Sequence, residues 1–248
     1  MMSSHQLFEV LVAIHITSGS IGLLSFWVPV VGRKGAMTHR RFGKLFIITM
    51  LITGTVAVGI ALTTLSDPVG THPHLSTHPI FSDSAIISGI FGWMMLYLAV
   101  LTINLSWHGW LVIRHRREPQ MNRAWHNLLS QLVLTLVAIN CAWQGWLIEQ
   151  PLMIGISMVG FATVATNLWY LYRIPQTPVN RLREHIKALV GAGISVYTAF
   201  FAFGAVRLMP ELALTPALWA VPLVVGLTLI FYHRWSVAQQ FARSGKAA

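Results

Sequence analysis

The chain has 248 residues, of which 55% are hydrophobic and 10% charged, and it carries a net charge of +10. A water-soluble globule has a charged fraction nearer ~25%, so this composition leaves too little polar surface and excludes an ordinary soluble fold. The 19 glycines are dispersed through apolar segments, which excludes collagen-like, low-complexity and disordered classes, and the one cysteine, Cys141, excludes both an intrachain disulfide and a cysteine-rich metal site.

Seven stretches are free of Asp, Glu, Lys and Arg: Val10 to Gly32, Leu45 to Ser66, Ser84 to Ile113, Ala124 to Ile148, Gln150 to Tyr172, Ala188 to Val206, and Leu212 to His233. A hydrocarbon core of roughly 30 Å is crossed by about 20 helical residues, and helices satisfy their own backbone polar groups where water is absent. The period-two alternation of a barrel strand does not occur. The expected fold is therefore all-α: one polytopic transmembrane helix bundle of seven predicted spans filling residues 1–248. Nothing before Arg33 is positively charged, so the first stretch reads as a retained helix and not as a cleavable leader.

The basic residues give the expected orientation. Arg33, Lys34, Arg40, Arg41 and Lys44 lie between spans one and two, and Arg114, Arg116, Arg117 and Arg123 between three and four. Arg173, Arg181, Arg183 and Lys187 lie between five and six, and Arg234, Arg243 and Lys246 in the tail. Arg207 alone of the 17 basic residues falls on the other side. This asymmetry puts the N-terminus outside and the C-terminus in the cytoplasm, in the inner (cytoplasmic) membrane. The positive charge is thus a topology signal that also favours anionic membrane lipids as partners, while nucleic acid, which needs a basic soluble surface, is not expected. The connections are too short for a second domain. Pro119, Pro175 and Pro178 mark helix boundaries, Pro222 predicts a kink in span seven, and the connection from Asp67 to Asp83 reads as irregular.

Histidine is the candidate chemistry. His39, His126 and His185 stand at the cytoplasmic ends of spans two, four and six, each close to arginine. If those helices are neighbours, the three imidazoles converge on a ligand layer for iron, copper or zinc, with Arg40 and Arg123 placed to neutralise a carboxylate such as a haem propionate. The alternative is that these residues anchor helix ends among lipid headgroups. His15 lies six residues inside Glu9, about 9 Å below the outer boundary, with Ser18, Gly19 and Gly22 on the same face, where small residues admit a close helix or a flat cofactor. An ionisable group at that depth points to function, against the alternative of a neutral histidine bonded to a carbonyl on the next helix. His108 shares a face with Asn104, while Asn140 with Gln144, and Thr163 with Asn167, repeat the spacing of four and read as interhelical glue. His72, His74 and His78 in the outer loop form a candidate copper or zinc site, or are simply solvated. The acidic residues, Glu184 among them, read as lying near span ends, which disfavours a proton pump built on mid-membrane carboxylates. The tryptophans read as interfacial belts, Trp219 in the outer one.

The run from His15 to Gly22, followed by Arg33-Lys34-Gly35 and His39-Arg40-Arg41-Phe42-Gly43-Lys44, resembles the start of an uncharacterised bacterial membrane-protein family, the domain of unknown function 2306. The segment His185 to Gly204, with Ser195-Val196-Tyr197-Thr198-Ala199, is similar to that family's later histidine-led helix. The resemblance implies a multi-pass membrane protein, points to His15, His39 and His185 as positions of interest, and implies no activity. The functional expectation is a b-type haem or transition metal held by clustered histidines, serving membrane redox or respiratory-complex maturation, with other membrane subunits as partners. The alternatives are a small-anion permease or channel gated by the cytoplasmic Arg and His residues, and a non-catalytic membrane scaffold.

Overall fold

A computed structural model describes residues 3–75, 81–204, 216–243 and 245. His78, Arg207, Glu211 and Lys246 lie outside the described residues, as do the expected end of span six at Val206 and start of span seven at Leu212.

The described residues contain helices and turns and no strand. The long helices are α1 (Ser4–Val31), α2 (Met37–Ser66), α3 (Ser84–Arg114), α4 (Trp125–Leu147), α5 (Pro151–Tyr172), α6 (Pro178–Ala199) and α7 (Pro216–Arg243). Within α3 the turns over Ser88–Met94 are π-helical, and α6 runs on into a π-helical segment, Phe200–Gly204. Six of the helices, all but α6, are long and apolar enough to cross a membrane. The first three turns of α6 carry Arg181, Arg183, Glu184 and Lys187, which separates it from the rest.

Local chemistry fixes the helix ends. Ser3 caps α1 by accepting from the Gln6 N–H at 3.2 Å, and the Gln6 side chain accepts from the Ser3 N–H at 3.0 Å, a reciprocal capping box. At the other end, the last carbonyls of a helix have no intrahelical donor, and here the Lys34 ammonium reaches the Pro29 and Val30 carbonyls. Gly35 then turns the chain at φ +78°, a left-handed conformation that glycine adopts without penalty. Asp83 caps α3 by accepting from Ala85 N–H, and Thr177 caps α6 from Asn180 N–H with Pro178 at the first helical position. Pro222 lies inside α7 as expected, and Pro29 adds a second interior proline in α1.

Two compact units result. The first comprises Met1–Ile103 with Leu132–Ala162, and the second Asn104–Gln131 with Thr163–Ala248, so α3, α4 and α5 each contribute to both. In the first, α1 packs along α2; in the second, α6 packs along α7.

Polarity is arranged for lipid. Leu24 (77%) and Val31 (80%) are largely exposed, whereas Asn104, His108, Asn127, Ser157 and Asn167 are buried. Water would penalise such an apolar exterior, and a bilayer does not. Trp143, Trp146 and Trp235 are exposed as a belt requires, but Trp219 is buried and is a core residue.

Close helix approach rests on small residues. A Cβ on Gly160 of α5 would lie 2.8 Å from Tyr97 Cε2 and 3.1 Å from the Ala138 Cβ, whereas Gly155 faces open space. Gly160→Val is expected to overpack this three-helix contact and cost about 1–3 kcal/mol, lowering the detergent melting temperature, while Gly155→Val leaves it unchanged; thermal unfolding in detergent checks both.

Candidate functional site

In the first unit, His15 and His39 engage the α1–α2 seam in the same way. His15 Nδ1 donates to the Thr53 carbonyl at 3.1 Å, and His39 Nδ1 donates to the Pro29 carbonyl at 3.2 Å. Fourteen residues separate His15 from Pro29 on α1, and fourteen separate His39 from Thr53 on α2, so both bonds belong to one antiparallel register. At the helical rise, the two imidazoles are about 21 Å apart along the seam. The small face next to His15 is occupied by α2: Thr53 Oγ1 donates to Ser18 Oγ at 2.8 Å, and a Cβ on Gly19 would sit 3.6 Å from Thr53 Cγ2. That face admits a close helix, and no room for a flat cofactor remains on it. A carbonyl only accepts, so each neutral ring carries its proton on Nδ1 and presents Nε2 as a lone pair. Among the described residues neither Nε2 has a hydrogen-bond partner.

The other predicted ligands belong to the second unit. His185 Nδ1 donates to the Gly109 carbonyl at 2.9 Å, repeating the same bond between α6 and α3. His126 is exposed in the first turn of α4, its ring 6.3 Å from that of Trp107. His39 and His126 stand in first turns, whereas α6 begins at Pro178 and puts His185 two turns inside its helix. Arg40 is exposed beside His39. Arg123 is engaged: its Nε donates to the Leu171 carbonyl at 2.7 Å, and its guanidinium lies 5.0 Å over the Tyr172 ring. Among the described residues no group of three or more His, Cys, Asp or Glu side chains is placed to hold a metal ion.

In the second unit a cluster joins His108, Asn104 and Asn167, which the sequence singles out, to Glu184 and Lys187, which it does not. His108 Nε2 is 2.9 Å from Glu184 Oε1, and the same oxygen accepts from the Lys187 ammonium at 2.6 Å. Lys187 also donates to Asn167 Oδ1 at 2.9 Å and Thr166 Oγ1 at 3.0 Å. Asn167 Nδ2 donates to Asn104 Oδ1 and Gln131 Oε1, each at 3.2 Å, and Asn104 Nδ2 donates to the Ser130 carbonyl at 3.2 Å. Four helices, α3 to α6, supply these groups. Glu184 is only 7% exposed: α6 starts ten residues before the charge-free stretch, so Glu184 stands in its second turn and, with Lys187, is packed against neighbouring helices. Thr177-Pro178, a cap residue followed by proline, was the signal for that earlier start.

Of the histidines between Asp67 and Asp83, His72 is buried, its ring 4.9 Å from both Phe8 and Phe91 and 6.0 Å from His74. Two phenyl rings thus hold it as an anchor of the loop on α1 and α3. Burial, and then the charge of His74, push its pKa down to about 4 from 6.5, against a hydrogen bond with Pro68. The folded loop therefore prefers neutral His72, and this contribution is complete above pH ~6.5 and lost as the pH falls toward 4, up to about 3 kcal/mol. Limited proteolysis between Asp67 and Asp83 is expected to accelerate across that window in the native chain and to lose the pH dependence in His72→Gln.

Comparison with protein-family models, with curated proteins and with solved structures gives no match.

Proposed function

We propose that the chain is a seven-helix protein of the cytoplasmic membrane, N-terminus outside and C-terminus inside, that holds a b-type haem or a transition-metal ion through histidine for membrane redox or respiratory-complex maturation. One observation carries this reading: His15 and His39 both hold Nδ1 on a neighbouring helix's carbonyl and leave Nε2 unbonded. A bond from the other ring nitrogen to a carbonyl is the one that metal-ligating histidines make, because it fixes the tautomer and aims the lone pair. The same bond with nothing on Nε2 would be helix glue, so occupancy of Nε2 is the discriminating quantity.

The separation of about 21 Å puts the two imidazoles in different halves of a ~30 Å core, so they serve separate groups or separate positions and do not share one ion. Arg40 beside His39 suits a carboxylate at the inner position. The resemblance to the domain of unknown function 2306 points to the same histidines. The seventh span in this reading is α6 with its π-helical extension, where Glu184 and Lys187 neutralise each other within the charged first turns.

The test is the visible spectrum and metal content of the full chain, expressed with ample haem and iron and purified in detergent. A Soret band or a bound transition metal is expected, reduced by half or more in His15→Ala and in His39→Ala and unchanged in His5→Ala. Absence of both the band and any metal ends the proposal. A tag on the final residues is expected to be reached by reagents only from the cytoplasmic side.

A further inference from the structure

The chain passes from α5 to α6 through Arg173 to Thr177, and this connection, the first turns of α6 and the last turns of α7 border a cleft of about 430 Å³. Its polar lining is Arg173, Thr177, Asn180 and Arg183, and its apolar wall includes Val179 and Phe241. No acidic side chain lines it. Glu184, the carboxylate next in sequence to Arg183, is committed elsewhere, its oxygen shared by Lys187 and His108. Neither arginine has an ion pair among the described residues. Arg183 is half-buried, and its Nε donates to the Arg234 carbonyl at 3.3 Å, which orients the guanidinium plane and leaves the two terminal nitrogens for a ligand. Arg173 is exposed at the rim, its guanidinium 4.8 Å over the Trp169 ring.

Two cations on one cleft repel each other, and an anion between them removes that cost. The planar fork of a guanidinium matches the oxygens of a phosphate in pairs. The cleft falls within the range of ~300–1,000 Å³ typical of pockets for organic molecules, so it is larger than a bare inorganic ion needs, and its apolar wall suits whatever is esterified to the phosphate. Trp169 and Tyr172, just before Arg173, and Trp235, about one turn before the α7 part of the lining, are exposed aromatic side chains of the kind that gather where lipid meets water. We propose that this cleft binds a phosphate ester, with Arg183 holding the phosphate in the fork, Arg173 completing the charge from the rim, and the carbon part of the ligand lying along Val179 and Phe241. Such a discrete site differs from the diffuse attraction of every basic residue to an anionic surface. Two sources carry this chemistry, the headgroup of an anionic phospholipid and a soluble phosphate ester from the aqueous side. The site depends neither on a group held by histidine nor on which side of the membrane these helix ends face.

Native mass spectrometry of the full chain in neutral detergent, titrated with phosphatidylglycerol and separately with glycerol 3-phosphate, reads the binding directly. A single saturable equivalent is expected, weakened about tenfold or more in Arg183→Gln and in Arg173→Gln. Arg183→Lys, which keeps the charge and loses the fork, is expected to weaken it as well, while Lys44→Gln, which removes an exposed charge in the first unit, leaves it unchanged. Whichever probe binds more tightly names the source of the phosphate. Failure of both probes to bind overturns the proposal, as does a loss in Lys44→Gln equal to that in the arginine variants, which is the signature of diffuse charge attraction. Where Arg183→Gln fails to fold, Arg173→Gln decides, because that side chain is exposed and its removal leaves the packing intact.

Discussion

Inside a bilayer no water is available to repair an unpaired polar atom, so buried polar side chains are favoured where another part of the same chain answers them; Ser106 Oγ and His108 Nδ1 are exceptions among the described residues. The second unit is organised by this constraint. His108 is answered by Glu184, Glu184 by Lys187, Lys187 by Asn167 and Thr166, Asn167 by Asn104 and Gln131, and Asn104 by Ser130. Each link relies on the next, and losing one partner of a buried charge pair typically costs about 3–5 kcal/mol, because the other is left uncompensated. The apolar exterior allows the helices to slide and rotate against lipid at little penalty. The polar sequence of bonds through α3, α4, α5 and α6 selects one arrangement among those.

Hydrogen bonds from imidazole to a neighbouring backbone carbonyl recur at His15, His39 and His185. The acceptors differ in kind. The Pro29 carbonyl belongs to the last turn of α1, where carbonyls lack an intrahelical donor, and it is shared by His39 and Lys34. The Thr53 and Gly109 carbonyls lie inside helices and receive a second bond from the side. In each case the ring is oriented by backbone, a partner that substitution cannot remove, and this leaves the other nitrogen as the variable part of the site.

Much of the architecture was legible in the residues. Charge-free stretches predicted seven spans, and six of the helices are long and apolar enough to cross a membrane; Ser18, Gly19 and Gly22 beside His15 suggested a close helix or a flat cofactor, and the neighbour there is α2. The histidines between Asp67 and Asp83 were read by type alone, and the phenyl rings around His72 show that burial on Phe8 and Phe91 governs it. The cluster around Glu184 was hidden by a rule of thumb. Charged residues usually bound a membrane span, so Arg181, Arg183, Glu184 and Lys187 appeared to precede the helix, whereas the i to i+3 spacing lets Lys187 fold back on Glu184 and both enter the packed region as a pair. Asn167 was identified as interhelical glue, which it is, but its partners on three other helices depend on tertiary placement that spacing along one helix does not contain.

The common register of the two histidine bonds along α1 and α2 has a geometric corollary. Displacing one helix of this hairpin against the other by a single turn, about 5.4 Å, would break both bonds at once, because both belong to one register. The pair therefore works as a fixed gauge: the spacing between the two rings is set by backbone and varies little with lipid thickness, so a thinner or thicker bilayer is accommodated by tilting the hairpin as a whole and not by shearing it.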